Sequence, residues 1–175
     1  MIPLELNIEK IWRISDQKEN ENYRFRNFLK GQDSEKVDKI VHRLNKEIVK
    51  LIDCKDCGNC CKILRPYVTD TEIDKLLNID NISREDFITN FIEQDDLEDI
   101  KYLKDTPCKY LADKKCIIYA DRPEDCKSYP HLHKCDFTSR TLGMIENYGI
   151  CPIVFNVFER LKIELRFIKY YKLNY

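Results

Sequence analysis

The feature that most constrains this sequence is a run of four cysteines within eight residues, Cys54-x2-Cys57-x2-Cys60-Cys61. A two-residue spacer forms a tight turn that brings the flanking sulfurs to one side, and Gly58 with polar neighbours suits such a turn. Thiolates placed in this way bind zinc at about 2.3 Å, and coordination to a metal keeps them deprotonated at neutral pH. The run therefore predicts a bound metal that organises the surrounding chain.

The chain contains nine cysteines in all. Three of those outside the run lie in turn-rich surroundings, and a fourth precedes Pro152 at the predicted start of the last helix, where exposed N–H groups favour a thiolate. These four are Cys108, Cys116, Cys126 and Cys151. Cys135 has no such setting and is interpreted as a spare thiol. The remaining eight would suit two four-thiolate sites, or one site together with cysteines buried in the core.

The identity of the metal stays open at this point. The C-x2-C-x2-C spacing is similar to the iron–sulfur run of bacterial ferredoxins, which takes its fourth ligand from elsewhere. The ferredoxin run ends in C-x3-C-P, and neither that cysteine nor that proline follows Cys61. The spacing slightly favours a 4Fe–4S cluster over Zn²⁺.

Two interpretations without a metal compete with this one. A free cysteine is often a small buried hydrophobic residue, and for Cys108 or Cys151 taken alone this reading is favoured. Reversible thiol–disulfide chemistry at Cys54 and Cys57 is the other, although no thioredoxin-like strand and helix surround them. Neither accounts for four cysteines so close together.

Composition excludes several classes of function. The 30 basic and 31 acidic residues leave a net charge of −1, so binding to nucleic acid or to an anionic membrane is not expected. The chain has four glycines and neither a GxGxxG nor a GxxxxGK[ST] motif, which argues against a nucleotide-binding sheet. No apolar run approaches the roughly 18 residues that span a bilayer, and the N-terminus lacks the apolar core of a secretory signal. We therefore expect a cytoplasmic protein, in a reducing compartment where structural disulfides are rare.

Periodicity predicts several helices. Apolar residues at helical spacing indicate the clearest one over residues 34–52, with Ser34 or Asp33 as its N-cap. Thr69 and Glu72 form the pattern of a capping box that opens another.

Later segments are predicted in the same way. Ser83 begins a further short helix and Pro152 begins the last one. The segment 100–118 is less regular, and its IKYLK and CIIY stretches are predicted to pair as a small hairpin around a turn at Ala112 to Lys115.

These elements predict a mostly α fold, in which helices pack around a cysteine-rich, metal-stabilised irregular centre with at most a short hairpin. No linker or repeat interrupts the chain, so one domain over residues 1–175 is expected. It consists of an N-terminal segment (1–32), a metal-chelating core (33–166) and a C-terminal tail (167–175).

Four stretches of this sequence carry a resemblance to a known family: CKDCGNCCK, PCKYL, KKCIIYADRPEDCKSYPH and NYGICPIVFNV. In their order and separation they resemble the CxxCxxCC (YkgJ-type) proteins, described as zinc- or iron-chelating, over about residues 25–165. The resemblance implies that the shared cysteines are metal ligands, with Cys151 fitting a longer subfamily pattern. The implied ligands are Cys54, Cys57, Cys60, Cys61, Cys108, Cys116, Cys126 and Cys151.

Tyr119 and Arg122 lie within the IYADRPEDC segment of this resemblance. In a functional interpretation they donate hydrogen bonds to ligand sulfurs and so tune the metal. In the structural alternative, which we prefer, Tyr119 packs and Arg122 pairs with a carboxylate to hold the turn.

The sequence thus predicts a metal-binding protein that chelates an iron–sulfur cluster or zinc, with a redox or sensing role. One alternative is a metal-dependent protein-modifying enzyme, because the resembling family includes a larger flagellin lysine N-methylase. Another is an interaction module built on structural zinc, with a protein partner at the aromatic tail FIKYYKLNY. No catalytic residue is predicted.

Overall fold

The computed structural model describes residues 3–95, 97 and 99–167. Its elements, in chain order, are α1 (Ile8–Gln17), α2 (Glu19–Lys30), α3 (Ser34–Ile48), α4 (Cys54–Cys57), α5 (Cys60–Ile63), α6 (Asp70–Asp80), α7 (Arg84–Phe91), β1 (Ile92–Asp95), β2 (Ile100–Leu103), β3 (Leu111–Ala112), β4 (Lys115–Cys116), α8 (Glu124–Ser128), α9 (Thr141–Tyr148) and α10 (Pro152–Glu164). The predicted mostly α fold is confirmed.

Contacts within the chain define two compact units. The first comprises residues 1–53 and 130–175, and we call it the helical unit. The second comprises residues 54–129, and we call it the cysteine unit. The expected single domain and its subdivision stay predictions.

In the helical unit, α10 packs against α1, α3 and α9, and α2 packs against α1 and α9. The prediction that α10 begins at Pro152 is confirmed, since this proline occupies the first helical turn. Rings form much of the core: Phe25 meets Phe158 edge-on at 5.4 Å between centroids and lies 4.9 Å from Phe167. The other aromatic residues of the tail lie outside the described residues.

The helix predicted over 34–52 is α3, and its end differs from the prediction. Asp33, not Ser34, is the N-cap, because its carboxylate accepts a hydrogen bond from the Lys36 backbone N–H at 3.0 Å. The helix ends at Ile48, and Leu51 is 63% exposed although its spacing continued the apolar pattern. Apolar periodicity alone therefore overestimated the length of the helix.

A charged cluster lies inside the helical unit around Lys162, whose side chain is almost fully buried. Its ammonium group donates to Glu21 at 2.7 Å, to Asn22 at 2.6 Å and to Glu159 at 2.8 Å. Tyr148 donates its hydroxyl to Glu159 at 2.9 Å. Although burial opposes it, the nearby Lys162 holds the pKa of Glu159 below its ordinary value. These polar partners offset the cost of burying the ammonium charge.

The cysteine unit has its own apolar core, which begins with the helix pair α6 and α7. The capping box is confirmed: Thr69 accepts from the Glu72 backbone N–H, and the Glu72 carboxylate accepts from the Thr69 backbone N–H. Ser83 is the N-cap of α7, as predicted. The buried core residues are Val68, Ile73, Leu76, Phe87, Leu103, Tyr110 and Ile118.

The predicted hairpin between IKYLK and CIIY is wrong. Residues 100–103 pair instead with β1, from Ile92 opposite Leu103 to Asp95 opposite Ile100. The chain leaving α7 is already extended, so β1 offers β2 a nearer partner in sequence, and closing the shorter loop costs less entropy. The described residues therefore contain two short strand pairs where at most one hairpin was expected.

The second pair forms around the turn that the sequence indicated. Leu111 lies opposite Cys116 and Ala112 opposite Lys115. The two turn residues, Asp113 and Lys114, have φ angles of 46° and 65°. Positive φ at both positions is the signature of a type I′ hairpin turn.

Candidate metal centre

The cysteine unit contains seven of the eight predicted ligands. Cys54 and Cys57 are the first and last residues of α4, and Cys60 and Cys61 are the first two of α5. The other three are Cys108 in the loop before β3, Cys116 on β4 and Cys126 on α8.

Backbone hydrogen bonds tie three of these cysteines together. The Cys108 N–H donates to the Cys61 carbonyl at 2.8 Å, although 47 residues separate them. The Cys108 carbonyl accepts from the Leu111 N–H at 2.9 Å, and Leu111 pairs across the hairpin with Cys116. The end of the four-cysteine run is thus connected to the two downstream cysteines.

The loop of Cys108 is anchored on α6 by its next two residues. Lys109 forms an ion pair with Asp80, and its ammonium lies 3.3 Å from the centroid of the Phe91 ring. Tyr110, which is buried, donates its hydroxyl to the same Asp80 carboxylate at 2.9 Å. Burial and this carboxylate raise the pKa of Tyr110, so the phenol stays protonated and remains a donor.

A close approach fixes α4 beside β4. Gly58 has φ of +56°, and a Cβ placed on it would lie 2.3 Å from the carbonyl oxygen of Lys114. Only glycine adopts this conformation without strain and leaves room for that carbonyl. The sequence predicts a local turn at Gly58, but the closest constraint on this residue comes from the distant β3–β4 hairpin.

Exposure divides the seven cysteines. Cys54 is exposed, whereas the other six are half-buried. Cys108 and Cys116 pack against the apolar core of the cysteine unit. The first cysteine of the run therefore faces solvent while these two downstream cysteines face the interior.

The thiols of Cys61, Cys108, Cys116 and Cys126 are electrostatically linked, and we call these four the inner set. Burial, followed by the charges of the other members, raises the pKa of Cys126 to about 12. Burial also raises the pKa of Cys108 and of Cys116, with Cys61 contributing to both.

Cys61 differs from the rest of the inner set. Its pKa falls to about 7, first because the Cys60 thiol can hydrogen-bond to its thiolate and also because Arg122 is positively charged. The two sulfurs, of Cys60 and Cys61, lie 4.0 Å apart. Within the inner set, Cys61 therefore loses its proton most readily. Cys60 connects that set to the exposed start of the run.

Arg122 stacks on the ring of Tyr119, with 3.6 Å between the guanidinium carbon and the ring centroid, and donates to the Tyr119 carbonyl. Arg122 thereby holds the turn, as expected, but its partner is a backbone carbonyl and not the predicted carboxylate. Its charge also contributes to the lowered pKa of Cys61 and offsets part of the rise that burial causes in the pKa of Cys116. Hydrogen bonds from Tyr119 or Arg122 to ligand sulfurs stay a prediction.

The eighth predicted ligand, Cys151, belongs to the helical unit. It is buried and is the N-cap residue of α10. Its N–H donates to the Asn147 carbonyl and its carbonyl accepts from Phe155, both at 2.9 Å. A role as ligand stays a prediction. Cys135, the expected spare thiol, is exposed in the same unit.

Within residues 3–95, 97 and 99–167, no three His, Cys, Asp or Glu side chains are gathered closely enough to hold a metal ion as they stand. The inner set nevertheless has the donor atoms that a metal centre needs. Its donors are all sulfur, a set that suits zinc or iron–sulfur clusters and does not suit magnesium or calcium.

Sequence comparison agrees with this chemistry. Residues 53–149, more than half of the chain, match the family model CxxCxxCC, described as "Putative zinc- or iron-chelating domain". The chain belongs to the CxxCxxCC family. As a CxxCxxCC protein it binds metal in the general sense of that description. The matched region includes every cysteine of the cysteine unit and ends before Cys151.

No curated protein and no solved structure matches the chain. Among the described residues, none of the helices has both the length and the apolar character to cross a membrane.

The residues that hold the loop of Cys108 were not predicted from the sequence. Asp80 carries no motif and lies 29 residues from its lysine partner. The one available signal was the position of Lys109 and Tyr110 directly after a cysteine, within the PCKYL stretch.

Proposed function

We propose that this CxxCxxCC protein chelates one metal centre through the inner set: Cys61, Cys108, Cys116 and Cys126. The observation that carries the proposal is the 2.8 Å backbone hydrogen bond between Cys108 and Cys61, which joins the four-cysteine run to the hairpin of Cys116. The charge interactions among the four thiols support the same grouping.

The chemistry of a buried thiol cluster explains why a metal would occupy it. Placing several thiolates together in a half-buried region is costly, because burial and mutual repulsion both disfavour the charged form. A bound cation removes that cost by replacing the protons. Structural zinc contributes on the order of 10 kcal/mol of apparent binding energy to folding in small domains, which would stabilise a unit whose cysteine-bearing elements are short.

Two metal centres suit an all-thiolate set, and a different observation supports each. The C-x2-C-x2-C spacing supports a 4Fe–4S cluster. The three cysteines with that spacing, Cys54, Cys57 and Cys60, lie outside the inner set. Ligands drawn from separate segments, as in the inner set, support zinc equally well. A 4Fe–4S cluster would also carry an electron, so a redox or sensing role follows from that outcome.

The test is metal analysis of the full chain purified without oxygen. A brown protein with stoichiometric iron and inorganic sulfide identifies the cluster, and a colourless protein with one zinc per chain identifies zinc. We expect Cys126→Ser to lose the metal and Cys135→Ser, a matched exposed thiol of the helical unit, to keep it. A folded wild-type chain free of metal would overturn the proposal, as would a Cys126→Ser variant that binds as the wild type does.

A further inference from the structure

We propose that Cys54 and Cys57 form an exchange site that passes a thiophilic metal ion between solvent and the inner set. The inference rests on the proposed function, because it assigns a separate role to cysteines outside the four chelating thiols. In this inference the first two cysteines of the run exchange the metal ion with solvent, and the inner set retains it.

The two thiols of the pair lie in one helical turn. Cys54 and Cys57 stand three residues apart in the single turn of α4, a spacing that places both side chains on one face of a helix. The Gly58 N–H donates to the Cys54 carbonyl at 3.4 Å and closes that turn. Two thiols on one face can share a single ion.

Cys54 differs from the core-facing cysteines in its exposure to solvent. Cys54 is exposed, whereas Cys108 and Cys116 pack against the apolar core. A chelator or thiol in solution can therefore reach Cys54 without opening the fold. It cannot reach the two core-facing thiols in the same way.

Backbone contacts also hold the pair close to the inner set. The contact of Gly58 with the Lys114 carbonyl holds α4 against β4, the strand of Cys116. Cys60, whose sulfur lies 4.0 Å from that of Cys61, follows two residues after Gly58. The pair of Cys54 and Cys57 is thus tied from both sides to members of the inner set.

In each exchange step, a thiol of the pair would lose its proton to solvent and form one sulfur–metal bond as the bond to the outgoing thiolate breaks, and the outgoing thiolate would take up a proton from solvent. No electron is transferred, so no oxidant or reductant is needed. Repeating the step with Cys61 or Cys116 as the outgoing ligand moves the ion outwards, and the reverse order moves it inwards. The rate of release to solvent then depends on Cys54 and Cys57, whereas retention depends on the inner set.

The experiment uses the full chain loaded with Zn²⁺, which is the probe whichever centre the cell supplies. Zinc loss to an excess of a chromogenic chelator is followed in time for the wild type, for Cys54→Ser/Cys57→Ser and for the control Cys135→Ser. We expect the double variant to keep one zinc per chain and to release it several-fold more slowly than the control. Release as fast as the control or faster would overturn the inference, and so would loss of zinc as complete as in Cys126→Ser.

A second measurement needs no substitution. In the zinc-loaded wild type, we expect iodoacetamide to modify Cys54 and Cys57 before any member of the inner set, as read by peptide mass spectrometry, and the modified protein to release zinc more slowly. Modification of the inner set at the same rate would contradict the inference. A wild type that takes up no zinc defeats the proposed function itself, whereas bound zinc with unchanged release rates defeats only the exchange site.

Discussion

Replacing Gly58 by alanine is the sharpest test of how the cysteine unit is assembled. The added Cβ would lie 2.3 Å from the Lys114 carbonyl oxygen, 2.9 Å from its carbon and 3.2 Å from the Lys114 Cα. All three atoms are backbone, so no side-chain rotation relieves the overlap. Either α4 or the β3–β4 hairpin must shift.

The magnitude follows from two effects. A non-glycine residue in the left-handed region costs roughly 1–2 kcal/mol, and overpacking of this kind costs about 1–3 kcal/mol. We therefore expect Gly58→Ala to lower the free energy of unfolding by about 2–5 kcal/mol. Because Cys61 follows three residues after Gly58, the shift should also displace Cys61 from the strand of Cys116, and zinc affinity should fall as well.

The assay is urea denaturation of the full chain, with zinc affinity measured by competition. Gly143→Ala is the matched control, because a Cβ at this position in α9 meets nothing within 4 Å. It should stabilise the protein by up to about 1 kcal/mol through helix propensity. Gly58→Asn separates the two effects, since asparagine tolerates positive φ but keeps the overlap. A Gly58→Ala variant as stable as the wild type would refute the reasoning.

Four further predictions follow from the structure. Metal binding must displace the inner-set protons, so the logarithm of zinc affinity should rise with pH. The slope should be roughly four per pH unit below the Cys61 pKa of about 7 and roughly three from there towards pH 9, since the pKa of Cys126 is about 12. Isothermal titration in several buffers measures this slope, and a flat profile would contradict it. Lys114→Gly should stabilise the protein by about 1 kcal/mol in thermal unfolding, because it removes a non-glycine residue at φ of 65° from the hairpin turn, and a loss of stability would count against that turn. Asp80→Ala should cost about 2 kcal/mol in urea, because it leaves two buried or half-buried donors without their shared acceptor, and a neutral result would remove the anchor from the account. Lys162→Met should cost about 2 kcal/mol, because it removes the buried ammonium from Glu159 and leaves that carboxylate with Lys18 as its cation, and unfolding curves that overlay the wild type would contradict it.

Features that depend on a few neighbouring residues were predictable from the sequence. The capping box of Thr69 and Glu72 and the start of α10 at Pro152 depend on groups within one helical turn. The cysteine run was equally visible because its signal is spacing. Where the signal was periodicity alone, as at the end of α3, burial against the rest of the unit decided the outcome and Leu51 remained exposed.

Features that depend on distant residues were not predictable. No local pattern links Cys61 with Cys108, or Gly58 with Lys114, because each pair meets only after the chain folds. The same limit explains the wrong partner for the Ile100–Leu103 strand, whose pairing was decided by where α7 ends. Spacing thus identified the candidate ligands but not the four whose thiols act on one another.

The central claim is that four sulfurs of the cysteine unit converge on one metal centre. X-ray absorption at the metal edge of anaerobically purified full-length protein tests it most directly, because the fine structure reports the kind and number of ligand atoms. The account predicts four sulfur neighbours at about 2.3 Å around zinc, or an all-sulfur shell around iron, each lost in Cys126→Ser. A shell of nitrogen or oxygen, or a folded protein with no metal, would contradict it.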